Sequence, residues 1–104
     1  MLHKPHRPRF VRLTTEHCQA LFGAGVALEP WMVISNGRFV AKQRITMIGP
    51  RGRIEGVAVV GPLVDSTQVS LAMHDEDKLG LADDPSRGVI LVGPGGEAKV
   101  VASE

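Results

Sequence analysis

The sequence predicts a mainly β protein, a small barrel or sandwich with two short helices, and three observations carry that expectation. Glycine and proline, with 12 and 7 copies, fall between short β-rich runs at regular intervals. Two segments resemble each other. Ile45-Thr46-Met47-Ile48-Gly49-Pro50-Arg51-Gly52 is matched by Val89-Ile90-Leu91-Val92-Gly93-Pro94-Gly95-Gly96, each an apolar strand running into Gly-Pro-x-Gly. Finally, Phe10, Phe22, Trp31 and Phe39 are the four aromatic residues, so the core must be built mainly from Val, Ile and Leu. At 104 residues the chain is expected to form one domain over 8–104, preceded by a basic flexible arm at 1–7.

The elements follow in order. Phe10 to Leu13 reads as a first strand. Thr14 is a good N-cap, because its hydroxyl can accept from a free backbone N–H of the next turn. Thr15 to Phe22 is then a short helix, with Gly23 available for the left-handed position after it. Leu28 to Ser35 is apolar and extended around Pro30. Asn36-Gly37 suits a tight I′ turn, since both residues tolerate positive φ, and Arg38 to Ala41 returns from it. In each Gly-Pro-x-Gly, proline presets φ and the final glycine accepts positive φ, which makes each a hairpin signal. Arg53 to Val60 follows the first hairpin and Glu97 to Ala102 the second. Thr67 to Leu71 is a short strand, Met73 to Leu79 a second helix closed by Gly80, and Ala82 to Gly88 a loop.

Composition excludes several classes of function. Hydrophobic residues make up 43% and charged residues 22%, an ordinary soluble balance. The net charge of +1 gives no global field for nucleic acid or an acidic membrane. Lys4, Arg7, Arg9 and Arg12 form a local basic stretch without an acid. Four aromatics are too few for a base-stacking sheet face. The single cysteine, Cys18, permits no intrachain disulfide and reads as a buried, inert thiol. No apolar run is long enough to span a bilayer and no signal peptide is evident, so a cytoplasmic protein is expected. Neither Gly-Pro hairpin is a phosphate loop, because no helix opening with Lys-Ser/Thr follows. His3 and His6 lie in the arm, while His17 and His74 read as helix-surface residues.

The ordered set Arg9-Phe10-Val11-Arg12-Leu13-Thr14, Gly37-Arg38-Phe39-Val40-Ala41, Gly49-Pro50-Arg51-Gly52, Val60-Gly61-Pro62, Thr67-Gln68-Val69, Asp77-Lys78-Leu79-Gly80 and Leu91-Val92-Gly93-Pro94 resembles the N-terminal half of the PduL-type phosphotransacylases. These zinc enzymes move an acyl group between coenzyme A and phosphate. The resemblance implies a small closed β-barrel of about six to seven strands with two short capping helices. In the family two such barrels pack about a pseudo-twofold axis, with zinc and coenzyme A at their junction.

The resemblance also implies which residues stand at the site. The family's first strand reads roughly Arg-His-Val-His-Leu-Ser, and both histidines hold zinc. Phe10 and Arg12 occupy those places. The metal-binding glutamate falls on Gln43 and its acidic neighbour on Lys42. A phosphate-binding arginine falls on Val64, and a glutamate after Thr-Gln-Val on Ser70. No catalytic residue, no metal ligand and no cofactor are therefore expected in this chain alone. The implied role is an assembly subunit, either a homodimer or a heteromer with another barrel-containing subunit. One alternative is a phosphate acyltransferase subunit completed by a second chain. Another is a metal-free binder of phosphate or coenzyme A through Arg9, Arg12 and Lys42. Family habits add association with a bacterial microcompartment, although the sequence shows no amphipathic targeting helix.

Overall fold

The computed structural model describes residues 9–81 and 88–101. The basic arm with His3 and His6, most of the Ala82 to Gly88 loop, and Ala102 lie outside the described residues. Seven strands and two helices follow in the order β1 (Phe10–Arg12), α1 (Thr15–Phe22), β2 (Pro30–Val33), β3 (Phe39–Ile48), β4 (Arg53–Gly61), β5 (Gln68–Ser70), α2 (Met73–Leu79), β6 (Gly88–Gly93) and β7 (Gly96–Val101). The mainly β class and both helices are as the sequence implies.

Local chemistry explains the ends of these elements. The Thr14 hydroxyl accepts from the His17 N–H at 3.1 Å. Gly23 after α1 has φ 107 and ψ 155, a positive φ with an extended ψ rather than the left-handed position expected of it. Gly80 ends α2 in the left-handed region at φ 85, ψ 29. Asn36 and Gly37 have φ 53 and 77, and Arg38 N–H donates to Ser35 O at 2.8 Å, as an I′ turn requires.

Three further expectations change. Arg38–Ala41 and Ile45–Ile48, separated in the sequence by the polar run Lys42-Gln43-Arg44, belong to one strand. A register shift between Val40 and Arg44 absorbs that run as a bulge. Gly52 does not have positive φ. It is small because an added Cβ would lie 2.7 Å from Lys78 O, at the end of α2.

The third change concerns closure. Among the described residues the sheet runs β5-β1-β4-β3-β6-β7, with β2 off this path and paired to β3. It curls as an open half-barrel rather than the closed barrel expected. Two features account for this. β2 leaves the ring and shares one edge of β3 with β6, and β5 has only three residues to offer a neighbour.

Alternation along the strands points Val11, Val59 and Val69 into the concave side, where they meet Ile45, Met47, Val89 and Leu91 in one core cluster. Leu21 and Cys18 of α1 and Leu79 of α2 close it. Each Gly-Pro hairpin abuts the C-terminal end of a helix. Arg51 N–H donates to Leu79 O of α2 at 3.0 Å, and Gly95 N–H donates to Leu21 O of α1 at 2.8 Å. The two similar sequence segments thus serve the same structural purpose twice.

Candidate functional site

β1 lies between β4 and β5. Phe10 is opposite Ala58 of β4 and Ser70 of β5, while Arg12 is opposite Gln68. Because Val11 is fully buried in the core, Phe10 and Arg12 project from the other, convex face, together with Ser70. Val60 is 5% exposed and lies outside the core cluster. Val64 N–H donates to Leu13 O at 2.9 Å, which ties the segment after β4 to the end of β1. The structure therefore gathers Phe10, Arg12, Val64 and Ser70 along β1.

Arg12 is half-buried, and its Nε is buried without a hydrogen-bond partner. A buried guanidinium N–H left unpaired costs free energy, which an incoming acceptor would recover. Phe10 and Arg12 offer no lone pair to a divalent cation, so the donors at these positions do not fit zinc. Among the described residues, no three His, Cys, Asp or Glu side chains converge as a metal site would need.

The other singled-out positions are occupied differently. Gln43 lies on β3, which is separated from β1 by β4. Its Oε1 accepts from Glu29 N–H at 2.9 Å and its Nε2 donates to Ala27 O at 2.8 Å. Gln43 thus pins the chain before β2 to the bulge of β3. Lys42 is exposed beside it. Arg9 donates to Asp75 Oδ1 at 2.7 Å, which commits its charge to the first turn of α2.

Sequence reasoning missed Asp75, whose side chain is 2% exposed. Its Oδ2 accepts from Ala72 N–H at 3.0 Å. Burial by itself pushes the carboxyl upward. The Arg9 and Ala72 hydrogen bonds, with attraction to Arg9 and His74, outweigh it and hold the carboxyl below its ordinary value. An alanine at the cap position gives no capping signature, and the arginine partner gave none either. His17 is half-buried rather than on the open helix surface. Its Nδ1 lies 2.6 Å from Thr67 Oγ1, which also accepts from Thr14 N–H at 3.2 Å. Cys18 is 2% exposed, and burial pushes its thiol upward, away from nucleophilic use.

A shallow cleft of about 330 Å³ lies between β3, β4 and β6, lined by Arg44, Ile45, Thr46, Gly56 and Val92-Gly93-Pro94. Its charged residue, Arg44, donates to Gly56 O at 3.3 Å and sits 5.9 Å from the Trp31 ring centroid. The cleft's lining residues include no acid, and Thr46 offers their single hydroxyl.

Residues 7–101 match the family model for phosphate propanoyltransferase. A phosphate propanoyltransferase of Planctopirus limnophila is 45% identical over 100 residues, covering 85% of this chain and 40% of that protein. The Leptotrichia buccalis protein of the same name is 43% identical over 74 residues, or 70% of this chain and 35% of its own length. That of Thermotoga maritima is 34% identical over 97 residues, with 85% and 46% covered. The chain spans less than half the length of these curated relatives.

Proposed function

Because the chain belongs to the phosphate propanoyltransferase family, we propose that it is a barrel subunit that does not carry out zinc-dependent acyl transfer by itself. It acts through protein contacts, as a homodimer or beside another barrel-containing subunit, in the cytoplasm. The observation that carries this reading is the pair Phe10 and Arg12. The frame of β1 is intact, with Val11 in the core and both sheet neighbours in register. The side chains facing outward from it cannot hold a cation. Val64 and Ser70 beside them supply neither a guanidinium for phosphate nor a carboxylate. Gln43 is engaged by two backbone groups in a structural clamp.

A second reading is favoured by one specific feature, the unpartnered Nε of Arg12. A guanidinium replaces part of the metal's positive charge and presents paired donors to an anion. In this reading the convex face of β1 binds phosphate without metal. Arg9 contributes only through its held position, since Asp75 already takes its charge.

Titration calorimetry with two ligands tests both readings. Zinc is expected to give no saturable heat. Stoichiometric zinc uptake that survives replacement of His3 and His6 would sink the first reading. Inorganic phosphate is expected to give heat that Arg12→Ala abolishes; no heat with the unmodified chain removes the second.

A further inference from the structure

The arm formed by β2 and its turn is unlike the rest of the molecule. Every residue of β2 is exposed, and so is every residue from 29 to 38. Yet Trp31, Met32, Val33 and Ile34 are all large and apolar, at 57%, 49%, 75% and 52% exposure. A cluster of exposed large apolar side chains of this kind marks an interaction surface. β2 pairs with β3 on one edge, and among the described residues no strand lies on its other edge. The arm is therefore an apolar strand with an open edge, the feature that templates pairing with another chain.

We propose that the occupant of this edge is β2 of a second copy, paired antiparallel about a twofold axis. The inference rests on the assembly role proposed above and names its surface. Three observations select a second copy. Residues 30–35 carry no charge, so self-pairing sets no like charges against each other. The whole chain carries only +1, which gives little repulsion between copies. Antiparallel pairing also brings the start of one β2 beside the end of the other. There Glu29 of one copy approaches the turn carrying Arg38 of its mate, and the symmetry makes two such pairs. Both residues are exposed, and among the described residues neither has an ion-pair partner within its own chain.

Twofold pairing has a further physical advantage. An apolar edge that met a different surface would leave its own edge open and permit stacking. An edge that pairs with itself is used once per copy and stops there. Main-chain hydrogen bonds then add to the burial of Trp31 and its neighbours. Pairing confined to this short arm makes a small interface, so a weak, reversible dimer is expected.

Sedimentation equilibrium on the full chain tests this. The unmodified chain is expected to dimerise. Val33→Lys, which sets lysines close together across the axis, should weaken the dimer at least tenfold while leaving the thermal unfolding of the monomer unchanged. Glu29→Arg should weaken it several-fold, and Glu29→Arg with Arg38→Glu should restore it. A dimer that persists in Val33→Lys and Glu29→Arg overturns the inference while leaving the assembly role standing. A failure of the double reversal to restore affinity overturns the antiparallel twofold arrangement. If the unmodified chain stays monomeric at tens of micromolar, the inference and the homodimer both fall.

Discussion

Gly93→Ala and Gly49→Ala are each expected to destabilise the protein by about 3 kcal/mol, near the top of the range for overpacking a tight contact. On a domain of this size the unfolding midpoint should then fall by roughly 10–20 °C. The reason is the seating of each hairpin against a helix end. An added Cβ at Gly93 would lie under 3.0 Å from Leu21 O, and one at Gly49 under 3.0 Å from both Leu79 O and Leu79 Cβ. Most of these obstacles are backbone atoms, which cannot rotate away. Neither glycine has positive φ, so the cost is purely one of packing. Gly25→Ala separates the two causes. Gly25 has φ 82 and open space around it, so alanine there pays only the left-handed strain of about 1–2 kcal/mol. Equal losses at Gly25 and Gly93 in thermal unfolding would contradict the role assigned to the hairpins.

Removing Arg9 has the next largest expected effect. Arg9→Met leaves the Asp75 carboxylate, 2% exposed, without its charged partner. Breaking a fully buried pair costs roughly 3–5 kcal/mol. Arg9 itself is 39% exposed, and Ala72 N–H still serves Asp75, so about 2 kcal/mol is expected. The pH dependence gives the sign. In the intact protein the Asp75 carboxyl is held below its unfolded value of about 3.9. Its contribution is fully present above that value and is lost as pH falls through the lower folded one. Without Arg9 the carboxylate loses the largest of the interactions that oppose burial. The deficit of Arg9→Met should then be largest near pH 7 and shrink below about pH 4. Urea unfolding at pH 7 and pH 3 measures this. An equal deficit at both values would mean that Arg9 contributes only the packing of its aliphatic stem.

What the sequence made legible was local. The Thr14 cap, the Asn36-Gly37 turn and the left-handed Gly80 each depend on a few neighbouring residues, and all stand where their chemistry puts them. The strand run 42–44 was misread because three polar residues imitate a break, whereas a bulge lets them stay in β3. Gly52 was assigned its size for the wrong reason, since the constraint comes from Lys78 on a distant helix. Arg9 and Asp75 are 66 positions apart, and no spacing signals such a pair. The apolar run Trp31–Ile34 has the composition of a core strand. It is exposed only because β2 leaves the ring, a matter of topology.

The candidate site was legible in a different way. The resemblance set Phe10, Arg12, Gln43, Val64 and Ser70 at one site. The register of β1 puts Phe10, Arg12 and Ser70 on one face, and Val64 N–H bonds Leu13 O, while Gln43 lies two strands away on β3. The resemblance did not foresee that Gln43 would be held by Ala27 and Glu29, or Arg9 by Asp75. Those engagements join residues 14 to 66 positions apart, a separation that no short motif signals.

The central claim is that the family frame is kept while transfer is absent from this chain alone. The direct measurement is acyl phosphate formation by the purified chain from propanoyl-CoA and phosphate, with and without added zinc. The account predicts no acyl phosphate above the protein-free control in either condition. Zinc-stimulated formation of acyl phosphate, proportional to protein concentration, would contradict it.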